Sequence, residues 1–152
     1  MNEEKRPGGL TALAVINFIL SAVGFLSLLG MVALFAFMGR ADTERMTEAQ
    51  KTQFEAFQNI GVSTWVLIVA LSIVSNILLL VSGIGYLKQK KILGRMVGNA
   101  YAVLSIVSSV ATGFMFAPEI GGGFNIMTMV GLIYPVVTLI LLNTTFRDDF
   151  TN

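Results

Sequence analysis

The stretch that decides the fold is VSTWVLIVALSIVSNILLLVSGIGYL (residues 62–87), then KQKKILGR (88–95), then MVGNAYAVLSIVSSVATGFMFA (96–117). Neither outer run carries a charge, while the middle segment carries four basic residues, Lys88, Lys90, Lys91 and Arg95. At about 1.5 Å of rise per residue, about 20 residues cross a hydrocarbon core of about 30 Å. Both runs meet that length. Strands of a membrane barrel are shorter and alternate in polarity. A backbone crossing lipid must satisfy its hydrogen bonds internally. The stretch therefore reads as two membrane-spanning helices joined by a positive elbow.

Small residues on the second of these helices are ordered. Gly94, Gly98, Ala102, Ser105, Ser109 and Gly113 recur three or four apart and share one helical face. Gly94 and Gly98 form a GxxxG pair, and the serines continue the small-residue spacing. Helices in lipid associate by close backbone approach and hydrogen bonding, because acyl tails are as apolar as leucine. Such a face serves packing within this chain, or contact with a partner helix or a second copy. The preceding helix has a matching stripe of Trp65, Ser72, Ser75, Asn76, Ser82, Gly83 and Tyr86. Asn76 falls mid-span, where an unpartnered amide is costly, so it is expected to be buried and bonded to a helix or backbone.

Composition agrees. Apolar residues make up 55% of the 152 positions and charged residues 12%, about half the charged share usual in soluble domains. With no cysteine and no histidine, the chain lacks thiolate chemistry, disulfides and the commonest metal ligand. The length suits a single membrane domain, residues 1–152.

Four spans are expected. Helix 1 covers 10–39, an apolar run too long for the core of a secretory signal, with Asn17, Ser21, Gly24 and Ser27 facing inward. Residues 42–59 form an amphipathic outer segment, either lying on the membrane or projecting as an extension of helix 2. Met46, Phe54, Phe57 and Ile60 share one side, and Asp42 or Thr43 is placed to cap its start. Lys51 with Glu55 and Arg40 with Glu44 have i,i+4 spacing. Helix 2 covers 62–87 and helix 3 covers 94–117. Pro118 and three glycines, Gly121–Gly123, end helix 3. Helix 4 covers 124–146 and contains Pro135, where a kink is expected. Phe146 and Phe150 then suit the membrane interface. The expected fold class is an all-α membrane protein, a four-transmembrane-helix bundle with the outer amphipathic segment between helices 1 and 2.

Seven of the ten basic residues (Lys5, Arg6, Lys88, Lys90, Lys91, Arg95 and Arg147) fall on the side of the elbow and the two ends. The positive-inside bias puts that side in the cytoplasm. Trp65 and Tyr86 suit an aromatic belt at the two surfaces. Lys88, Lys90, Lys91 and Arg95 are expected to contact phosphate head groups, each contributing about 1 kcal/mol near an anionic leaflet. One short basic turn lacks the broad face of a nucleic-acid binder.

The four apolar runs contain no Asp, Glu, Lys, Arg or His. Proton relays, ion paths and intramembrane catalytic pairs use such groups. Ser105, Ser108 and Ser109 have no base in reach by sequence, and Gly121-Gly122-Gly123 lacks the Lys-Ser/Thr of a phosphate-binding loop. No catalytic residue, cofactor site or metal site is expected.

Gly83-Ile-Gly-Tyr-Leu-Lys-Gln-Lys-Lys-Ile-Leu-Gly-Arg95, followed by Gly98-Asn-Ala-Tyr101, resembles a hairpin of small, uncharacterised four-span proteins of bacterial inner membranes. The resemblance implies a prokaryotic cytoplasmic membrane and carries no activity. The expected role is a non-catalytic subunit or accessory protein acting through helix–helix contacts, with lipids and other membrane helices as partners, in a homo-oligomer or a larger complex. The alternative is a transporter or channel component for a neutral or apolar solute.

Overall fold

The computed structural model describes residues 8–38, 46–59, 61–116 and 126–151. The elements follow in the order α1 (Gly8–Met38), α2 (Glu48–Asn59), α3 (Val62–Leu87), a π-helical turn (Lys91–Met96), α4 (Val97–Phe116) and α5 (Ile126–Asn143). Among the described residues the chain is helical with no strand; an isolated bridge joins Lys90 to Thr151. Three stretches are long and apolar enough to cross a membrane: Gly8–Ala33, Val62–Leu87 and Lys91–Thr112. The apolar part of α5, Gly131–Asn143, is shorter. Exposed side chains such as Ile19, Leu26, Leu29, Val66, Val107 and Ile140 form the outward faces expected where lipid is the solvent.

Helix α1 packs on α3, α3 on α4, and α4 on α5. Partners in the pairs α1–α3 and α4–α5 run antiparallel: Asn17 meets Ser82 while Ser21 meets Asn76, and Asn99 near the start of α4 meets Asn143 at the end of α5 while Tyr101 meets the earlier Tyr134. The start of α1, the elbow and the end of α5 therefore gather at one end of the molecule. The apolar core lies there: Leu10, Leu13 and Ala14 of α1, Tyr86 of α3, Leu142 of α5, and Phe146 and Phe150 beyond it.

Several sequence expectations are corrected. The third span does not begin at 94. Helical structure resumes at Lys91 as a π-helical turn, so the elbow shrinks to Lys88, Gln89 and Lys90. Gln89 reverses the chain with φ 49°, a conformation that costs most non-glycine residues. The last apolar helix ends at Asn143, not 146; residues 144–149 turn back under the elbow. Phe146 and Phe150 are accordingly buried, and Tyr86, on the small and polar stripe of its helix, is in the core with them. Tyr86 and Phe150 pack with ring centroids 6.2 Å apart.

Helix α2 starts at Glu48, not 42. Thr47 is its cap, in a box with Gln50: the Thr47 N–H donates to Gln50 Oε1 at 2.9 Å, and the Gln50 N–H to Thr47 Oγ1 at 3.4 Å. Lys51 pairs with Glu48 at 2.9 Å instead of with Glu55. Helix α1 is described over Gly8–Met38, starting before the expected residue 10; the expected end at 39 lies outside the described residues. Asp42, Thr43, Arg40, Glu44, Ile60 and the link 118–123 lie outside the described residues, as does the side chain of Phe57.

Candidate functional site

Three polar constructions stand out in an otherwise apolar molecule. The first lies between α1, α3 and α5. Asn17 Nδ2 donates to Ser82 Oγ at 2.7 Å and to the Leu79 carbonyl at 3.3 Å. Ser82 Oγ also donates to the Leu79 carbonyl at 3.0 Å. The Tyr134 hydroxyl donates to Asn17 Oδ1, which ties α5 to α1. One helical turn further from the elbow, Ser21 Oγ donates to the Asn76 carbonyl at 3.1 Å. Asn76 is buried; its Nδ2 donates to the Ser72 carbonyl of its own helix at 2.9 Å, and its amide fills the place a side chain at Gly24 would occupy. Hydroxyls and amides satisfied this way hold helices together at a depth where water is scarce. Ser27, expected to face inward with them, is exposed and bonds the Val23 carbonyl of its own helix.

The second construction is the elbow. A side chain at Gly85 would overlap the backbone of Leu93 and Gly94, so α3 and the π-helical turn touch main chain to main chain. Gly94 in turn lies under the Phe150 ring. The segment after α5 is stitched on by backbone bonds: the Lys91 N–H donates to the Thr151 carbonyl at 2.8 Å and the Thr151 N–H to the Gln89 carbonyl at 2.7 Å. Gln89 Nε2 reaches the Asp149 carbonyl at 3.3 Å. Of the expected head-group cations, Lys88, Lys90 and Lys91 are exposed, while Arg95 is half-buried. Arg95 Nη2 donates to Asn143 Oδ1 at 3.2 Å. That oxygen also accepts from Asn99 Nδ2 at 3.2 Å, and Asn143 Nδ2 answers to Asn99 Oδ1 at 2.9 Å. The paired amides of Asn99 and Asn143 join α4 to α5 beneath the guanidinium.

The small-residue face of α4 divides. Gly94, Gly98 and Ala102 are buried within the chain, with Gly98 against Tyr86 and Leu142. Ser105 and Ser109 are only half-buried; the surroundings of Gly113 lie outside the described residues. Beside this looser half is the third construction, a groove of about 210 Å³ between α3 and α4 lined by Ile68, Leu71, Ser72, Ser75, Asn76, Ser108 and Thr112.

Comparison with protein-family models, curated proteins and solved structures finds no match to the chain. Among the described residues no three His, Cys, Asp or Glu side chains gather to hold a metal ion. The site residues that do not follow from the sequence are Asn99, Asn143 and Phe150. Asparagines near the ends of two apolar runs, Asn99 and Asn143, were the available signal for the amide pair. Phe150 had none, since an aromatic ring beside a membrane helix suits core and interface equally.

Proposed function

We propose that the chain is a four-span protein of the bacterial inner membrane, with both ends and the elbow in the cytoplasm. It acts as a non-catalytic subunit or accessory protein through helix–helix contacts. The groove between α3 and α4 carries this reading. Ser72, Ser75, Ser108 and Thr112 line an opening on helices that otherwise present large exposed apolar side chains such as Ile73, Val74, Ile77, Val103 and Val107. Hydroxyls at that depth favour a neighbouring helix of small and polar residues over acyl chains. At the opposite end Lys88, Lys90 and Lys91 engage lipid phosphates, and Arg95 is shared with Asn143.

The test is to fill the groove with Ser75→Leu and Ser108→Leu and compare the species extracted from native membrane in mild detergent. Loss of an associated partner or second copy, with the thermal midpoint kept, is the expected result. Unchanged migration and composition would remove the proposal. Tags at the two ends reporting opposite compartments would overturn the four-span arrangement.

The same hydroxyl lining favours a second reading, passage of a neutral solute, with Pro135 within α5 as a point of bending. Liposomes containing the protein and showing no flux of any tested neutral solute would count against it.

A further inference from the structure

We propose that Arg95, held by the paired amides of Asn99 and Asn143, is the seat for one anionic phospholipid on the flank of α4 and α5. The seat deepens the function proposed above and rests on its placing the elbow at the cytoplasmic surface. Arg95 Nη2 donates to Asn143 Oδ1 at 3.2 Å, and the two bonds between the amides fix that oxygen in turn. The guanidinium is therefore oriented but not neutralised: among the described residues no carboxylate pairs with it. A guanidinium carries five N–H donors in a planar fork, and the Asn143 oxygen engages the one end. A half-buried cation held this way suits a phosphate diester, whose oxygens accept two parallel bonds from the fork. Lys88 and Lys91, both nearby in sequence, supply charge but no fork.

The neighbours select a lipid over free phosphate. Ile92 and Met96 lie to either side of Arg95 in sequence and are exposed, so the guanidinium stands where the apolar span begins. From Asn99, α4 continues on the same face with exposed Val103 and Val107. From Asn143, α5 leads back along its own face to exposed Ile140 and Val136. The two helices are antiparallel, so both ridges lead from the amide pair towards the middle of the membrane. A cation at the surface with apolar ridges beneath it answers to an amphiphile, head and acyl tail together.

The test titrates the full chain in mild detergent with phosphatidylglycerol or phosphatidylcholine and counts bound lipids by native mass spectrometry. One phosphatidylglycerol should bind ahead of any further copy and ahead of phosphatidylcholine. Arg95→Lys keeps the charge and loses the fork; it should weaken that first adduct about tenfold. Lys88→Gln, which removes a whole charge, should weaken it less. An Arg95→Lys chain that binds like the unmodified one, or losses that follow net charge alone, would overturn the seat. Inorganic phosphate should leave the lipid in place; displacement at equal concentration would reveal a free-anion site and equally end the proposal. Tags at the two ends that report opposite compartments defeat the four-span reading, whereas an inserted chain with no preferred first lipid defeats the seat alone.

Discussion

The two halves of this molecule solve the packing problem differently. At the elbow end, glycines let main chains touch, aromatic rings fill the gaps, and a segment from beyond α5 is hydrogen-bonded across the turn. At the far end, α1 and α3 carry exposed Leu26, Leu29, Val62 and Val66, and the groove between α3 and α4 stays open. In lipid there is little hydrophobic drive between helices, so cohesion comes from close fit and from polar groups with partners. The elbow half has both. The far half leaves hydroxyls and apolar faces for something else to cover.

The sharpest way to break this contrast is to put bulk where backbones meet. Gly85→Leu should cost more than about 4 kcal/mol, because Leu93 and Gly94 are main chain and cannot rotate away. Gly30→Leu, at a position with open space around it, should leave stability unchanged. Thermal melts followed by circular dichroism in detergent compare the two; equal losses would dissolve the distinction between the halves. Phe150→Ala removes a buried ring and should cost about 3 kcal/mol, whereas the exposed Leu29 cut to alanine should cost far less in the same assay. Asn17→Leu deletes bonds to Ser82, Leu79 and Tyr134 and should cost about 1–2 kcal/mol. Ser27→Ala, which touches only its own helix, should be silent. The smallest expected non-zero loss is that of Thr47→Ala, about 1 kcal/mol and confined to α2. Hydrogen exchange should show faster exchange in residues 48–52 and no change at the elbow.

Much of the far half and little of the elbow was legible in the sequence. The helix Val62–Leu87 is bounded in the structure where its uncharged run begins and ends, because length and polarity alone fix a lipid-crossing segment. The inward positions of Asn17, Ser21 and Asn76 follow from helical spacing and from the cost of exposed amides. The π-helical turn did not follow. KILGRM contains no residue that asks for one; the turn accompanies the main-chain contact of Gly85 with Leu93 and Gly94, which helical spacing does not reveal. The burial of Phe150 did not follow for a related reason. Aromatic rings at the end of an apolar run have two good environments, and only the returning segment 144–151 decides between them. Asp42 and Thr43 have the side chains of a cap, but it is Thr47 that caps α2, with Gln50 three residues on to complete the box.

The bridge between Lys91 and Thr151 spans some sixty positions of chain, and synthesis runs from the N-terminal side. A ribosome will therefore deliver the hairpin of α3 and α4 to the membrane well before the segment that locks its turn has emerged. Until then Gly94 lacks the ring of Phe150 above it, and the turn has only its own short-range bonds. Insertion and final closure are separate events in the life of this protein, and a stall between α4 and α5 would leave an inserted hairpin with an unfastened turn.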